Sequence, residues 1–170
     1  MKPIVPCLAA GLLACGTQRS APVAAPLPAA APVAAAPAAQ PLPPSQDYLM
    51  FVVAESADQA ALVRFGPAGF RIERQQRVGM MPTEINGPHG VAVSPDGRFY
   101  YVSIAHGTPY GTLWKFSTAN DSLAGRVTLG LFPATTQVTP DGSLAFVVNF
   151  NLHGEMVPSS VSVVSTDEMV

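Results

Sequence analysis

The residues best suited to chemistry in this chain are three histidines. His89 stands in Pro88-His89-Gly90, while His106 and His153 are each followed by glycine. Neutral imidazole is the commonest metal ligand and suits copper, zinc or iron. Glu84, Asn86, Asn151 and Glu155 lie close by in sequence and add carboxylate and amide groups. Glu84 and Asn86 form the local pair that a divalent-cation hydrolase would need. Asp96 and Asp141 each sit in Pro-Asp-Gly, where capping the turn explains them. Glu55 and Asp58 read as acidic residues that keep a loop soluble. Ser94 and Ser103 have no neighbouring histidine and acid in a hydrolase arrangement. No glycine-rich phosphate loop, haem-attachment motif or zincin motif occurs.

Composition narrows the classes further. The chain has 170 residues, 12% charged and 48% hydrophobic, with a net charge of −2. No basic stripe exists to displace counterions, which excludes a nucleic-acid binder. No stretch of 18 uninterrupted apolar residues occurs, so no membrane-spanning helix is predicted.

The N-terminus reads as an address. Met1-Lys2 is followed by a short apolar run ending in Leu12-Leu13-Ala14-Cys15-Gly16, the length of a signal-peptide core. These residues resemble the lipobox of bacterial lipoproteins. That resemblance implies cleavage after residue 14, lipidation of Cys15 and a membrane partner through the lipid anchor, in the cell envelope of a bacterium. An ordinary secretory signal with a chance cysteine is the alternative. Cys7 leaves with the signal, so the mature domain has no thiol for disulfides or thiolate chemistry. Residues 15–46 form an Ala/Pro-rich tether, with eight prolines among the 24 residues from Ala21 to Pro44. That density favours an extended polyproline conformation over a helix.

Residues 47–170 hold seven of the nine basic residues and all eleven acidic ones, a formal charge of −4. Within them, Pro88–Val102 aligns with Pro133–Val147 at a shift of 45 residues, with six identities in fifteen positions. Partial matches link Phe51-Val-Val53 to Phe146-Val-Val148, and Gly79–Pro82 to Gly130–Pro133. In the middle unit four strands are predicted, at about Val91–Ser94, Phe99–Ile104, Thr112–Ser117 and Leu123–Leu129, with turn residues between them. The first unit begins at a second strand, Tyr48–Ser56, and the last ends at a third, Val161–Ser165. Trp114, Phe116, Tyr101 and Phe146 are expected to pack between units. Four strands in about 45 residues is the size of a β-propeller blade.

Gly90–Gly97 with Tyr101-Val-Ser-Ile104, and Thr139-Pro-Asp-Gly142 with Phe146-Val-Val-Asn149, resemble the YVTN-type β-propeller repeat family. The resemblance implies an all-β fold, a partial propeller of about three four-stranded antiparallel blades from a seven-bladed ring. It also implies a binding or catalytic surface outside the cytoplasm. Under three blades fit in 124 residues, so the chain is expected to be a fragment of a longer propeller.

Turns of such a meander alternate between the two ends of a blade. His89 is then expected in the connection entering the middle blade. His106 and His153 fall in second-to-third-strand loops that differ by two residues. Glu84 and Asn86, from a six-residue expansion of the preceding connection, join the same rim, as do Asn151 and Glu155. The leading expectation is an envelope-anchored binding or scaffolding module for a protein or small-molecule ligand. A copper- or haem-type redox propeller using the three histidines is the alternative, and a lactonase-like hydrolase a second. The imidazoles filling a channel mouth, or serving turn chemistry, is the structural alternative to a metal site.

Overall fold

The computed structural model describes residues 42–106, 111–152 and 158–170, all within one compact unit, Pro41–Val170. Among the described residues there is no α-helix, and none long and apolar enough to cross a membrane. Ten strands form three antiparallel sheets. The first contains β1 (Tyr48–Ala54), β2 (Gln59–Gly66) and β3 (Gly69–Arg77). The second contains β4 (Pro88–Val93), β5 (Phe99–Ile104), β6 (Thr112–Ser117) and β7 (Leu123–Thr128). The third contains β8 (Pro133–Val138), β9 (Leu144–Asn149) and β10 (Ser160–Ser165). Each sheet is a meander with neighbours in sequence order. β5 and β6 occupy the residues their apolar runs and bounding turns predict; β4 begins three residues earlier, so that His89 belongs to the strand itself.

The middle sheet is buried on both sides, and period-two alternation divides its side chains between two cores. Tyr100, Val102, Ile104, Trp114 and Phe116 face the first sheet, with Phe51 stacked on Tyr100 at 4.0 Å between ring centroids. Tyr101 and Leu113 face the third sheet with Ala145, Val147 and Val164. The two outer faces remain open. Met50, Val52, Phe65, Phe70 and Ile72 are exposed on the first sheet, and Val161, Val163 and Phe146 on the third. Phe146 therefore departs from the packing role expected of it, because its strand position points to the open side.

The repeat recurs in main-chain hydrogen bonds. Ala105 and His106 donate to the carbonyls of Gly87 and Asn86, and Phe150 and Asn151 donate to those of Phe132 and Leu131. At the opposite end, Thr118 and Thr166 donate to Arg98 and Ser143, and Asp121 and Met169 to Ser117 and Ser165. Asp121 and Met169 both adopt positive φ, at 59° and 54°. The Pro-Asp-Gly turns are capped as expected. Asp96 accepts from the Ser94 hydroxyl and the Arg98 amide, and Asp141 from Thr139 and Ser143. Both carboxyls are held below the ordinary carboxylate range, first by the neighbouring Ser94 or Thr139 hydroxyl.

Candidate functional site

The predicted rim forms around a buried carboxylate rather than around the histidines. Asp58 closes the 3-10 turn Glu55–Ala57 in the left-handed conformation (φ 52°, ψ 46°) and is 4% exposed. Its side chain accepts hydrogen bonds from the Asn86 amide at 2.8 Å, the Asn86 Nδ2 at 2.9 Å and the Gly87 amide at 3.0 Å. Arg77 stands 3.8 Å away. Burial pushes the Asp58 carboxyl up, but these donors, led by the Asn86 side chain, outweigh it and hold the pKa below its usual value.

This network fixes the expanded connection between β3 and β4. Asn86 Oδ1 accepts from the Met81 amide at 2.8 Å, and Nδ2 also donates to the Met81 carbonyl at 2.9 Å. The turn must approach closely: a Cβ on Gly79 would lie 2.2 Å from Asn86 Cγ. Asn86 is thus a buried tie between two units, engaged at both ends of its amide, and not an exposed rim ligand. Glu84 is exposed, and its backbone carbonyl accepts from Asn86 Nδ2 at 3.3 Å. The Glu84–Asn86 pair does not converge on a cation position.

Above this frame, Glu55 joins the two described histidines. Its Oε1 lies 2.9 Å from His89 Nε2, a distance for an ion pair but without hydrogen-bond alignment, and 3.8 Å from His106 Nε2. His89 is reached differently from the expectation. It is the extra residue of a β-bulge between Pro88 and Gly90 in the β4–β5 ladder, and bulges re-aim side chains at such sites. His106 is set by its amide bond to Asn86 and packs over Gly87, where a Cβ would meet His106 Cδ2 at 2.3 Å.

Phe132 lies between the imidazoles. Its ring centroid is 4.9 Å from His89 and 5.5 Å from His106. It occupies the position that Gly87 holds in the preceding repeat, and it adopts the same left-handed backbone (φ 52° against 68°). A buried aromatic there is strained, and such strain clusters at ligand-binding positions.

The same bonds set the register of the second and third sheets. The counterpart of His106 at the 45-residue period is Asn151, and the chain between β9 and β10 is three residues longer than that between β5 and β6. Asn151 adopts φ 53°. Cys15, His153 and Glu155 lie outside the described residues. Among the described residues no group of three His, Cys, Asp or Glu is arranged to hold a metal ion. In the sequence Glu55 and Asp58 look like ordinary polar loop residues, and nothing in the pattern marks Phe132. The Asn86-Gly87 turn signal was the available clue to a fixed partner nearby.

No family model matches the chain, and no curated protein matches it. Solved structures do. The chain is similar to hydrazine synthase of Kuenenia stuttgartiensis, with a TM-score of 0.55 and 19% identity over 71% of this chain and 30% of that one. It is similar to a 6-phosphogluconolactonase-like protein of Bacteroides fragilis, with a TM-score of 0.56 and 15% identity over 69% and 32%. It is also similar to the dihydro-heme d1 dehydrogenase NirN, with a TM-score of 0.51 and 19% identity over 71% and 22%. These likenesses show a β-propeller-type fold. The chain spans a third or less of the length of each of these proteins.

Proposed function

We propose that this chain is part of an envelope-anchored, extracytoplasmic β-propeller that acts as a binding and scaffolding module. Lipidated Cys15 anchors it, the Ala/Pro-rich tether of residues 15–46 displays it, and the Glu55–His89–His106–Phe132 face receives the ligand. The observation that carries this reading is the face itself. Two half-buried imidazoles, one carboxylate and a strained aromatic ring stand on a frame whose own polar groups are bonded internally. Such a surface offers hydrogen-bond donors, an acceptor and a flat apolar contact together.

The anchor is tested by fractionating a bacterium that expresses the full chain. The wild type is expected in the membrane fraction and labelled by radioactive palmitate. The Cys15→Ser variant is expected unlabelled, with more than about nine-tenths of it shifted out of that fraction, since a single polar residue replaces several acyl chains. A wild-type chain that takes up no palmitate overturns the anchoring.

The approach of two Nε2 atoms to one Glu55 oxygen favours a second reading, a transition-metal redox propeller completed by His153. Copper, zinc or iron bound to protein purified without a histidine tag, and lost on His153→Ala, would support it; metal at blank levels would end it. The lactonase-like reading keeps no support from Glu84 and Asn86, because Asn86 is spent on Asp58 and Met81.

A further inference from the structure

On the end of the molecule opposite the histidines, the junctions between successive sheets are built alike but neutralised differently. At the first junction Arg74 of β3 donates to the Thr118 carbonyl and pairs with Asp121, its Nε 2.6 Å from Oδ2. At the second junction Lys115 of β6 donates to the equivalent carbonyl, that of Thr166, at 2.7 Å. The residue equivalent to Asp121 there is Met169. Among the described residues no carboxylate pairs with Lys115. Lys115 is 7% exposed, and its ammonium rests over the Phe99 ring at 4.2 Å.

Buried charges are normally paired, because an uncompensated one carries a desolvation penalty. A carbonyl and an aromatic face compensate it in part. The remaining counter-charge has a place to sit. Lys115 lines a cleft of about 510 Å³ between the Pro-Asp-Gly turns of the second and third sheets, a volume suited to a small molecule. The cleft beside Arg74, about 400 Å³, is instead lined by Leu49, Phe51, Leu62 and Val93.

Three carboxylates share the Lys115 cleft. Asp96 is matched by Arg98, Nε to Oδ2 at 2.5 Å. Asp141 accepts from Thr139 and Ser143 and pairs with no cation among the described residues, and the exposed Asp167 lies within electrostatic reach of Arg98. The cleft therefore sets Lys115, paired with no carboxylate among the described residues, beneath a rim where three carboxylates exceed the one remaining cation, Arg98. A polyanion meets the rim unfavourably, and a simple cation meets the base unfavourably.

We infer that this cleft binds a small zwitterion of the amino-acid type, its carboxylate on Lys115 and its ammonium toward Asp167 and Asp141. The site is independent of the histidine face.

The experiment titrates the isotopically labelled full chain with L-alanine, sodium acetate and methylammonium chloride, following backbone amide resonances. L-alanine is expected to move the signals of Ser94, Ser143 and Thr166 saturably, and more tightly than either half-ligand. Lys115→Met is expected to weaken L-alanine at least about tenfold, with the signals of the histidine face unmoved. The exposed variant Asp167→Asn, which leaves the core untouched, is expected to bring L-alanine down toward acetate. Absence of saturable shifts, unchanged affinity in either variant, or acetate binding as tightly as L-alanine overturns the assignment.

Discussion

Replacing Asp58 with alanine is expected to cost about 3–5 kcal/mol of stability, the range for removing one member of a buried charged network. The substitution strands the Asn86 and Gly87 amides in a buried position and removes one of the three acceptors of Asn86 Nδ2. It also places alanine at φ 52°, which an aspartate tolerates better. Urea denaturation measures the loss, and a cost under about 1 kcal/mol would mean that the network is not what holds the connection. The pH dependence has a definite sign. The folded pKa of Asp58 lies below its unfolded value, so its contribution is fully present above the unfolded pKa of about 3.9 and is lost as pH falls through the folded one. Asp58→Asn keeps the shape and the backbone preference but not the charge. Its stability should therefore fall less steeply in acid than that of the wild type, and parallel acid limbs would contradict this account.

The second large effect is expected at Gly90, where the inner strands of the second and third sheets meet. A Cβ there would lie 1.7 Å from the Ala134 carbonyl oxygen and 2.7 Å from Ser103 Oγ. The first obstacle is backbone and cannot rotate away. Gly90→Ala should cost about 3 kcal/mol or more, through displacement of β8 from β4. Ser103 bridges the same strands, accepting from the Gly90 amide at 2.9 Å and donating to the Ala134 carbonyl at 2.6 Å. Ser103→Ala removes both bonds without a clash and should cost less than Gly90→Ala. Thermal unfolding of the two variants side by side decides the order, and a milder Gly90→Ala would show that the strands separate easily.

Both predictions concern residues whose importance was only half legible in the sequence. Strands were readable because each alternates or runs apolar between turn residues. For β5 and β6 the alternation also encodes which core each side chain enters. Asp96 and Asp141 were readable because a Pro-Asp-Gly turn is satisfied by partners two residues away. Asp58 was not, because its partners lie 28 and 29 residues away and its local surroundings look like any polar loop. His89 was placed one element too early because a bulge leaves no mark on the pattern of residue types. Phe132 was invisible for the opposite reason. Positive φ is expected of glycine, and the repeat carries one at position 87 but a phenylalanine at 132. The spacing of His106 and His153 implies connections that differ by two residues, whereas those between β5 and β6 and between β9 and β10 differ by three.

Main-chain bonds recur at both ends of the sheets, beside a smaller set of recurring hydroxyl and carboxylate caps at the Pro-Asp-Gly turns. Amide and carbonyl groups are the same in every residue, so the copies stay superposable while their side chains drift. Asp121 and Met169 show the outcome: one backbone position, one left-handed conformation, and two unrelated consequences for the neighbouring cation. Duplication of such a unit yields spare copies whose junctions can be specialised one at a time, each change confined to its own seam and none of them needing a new scaffold.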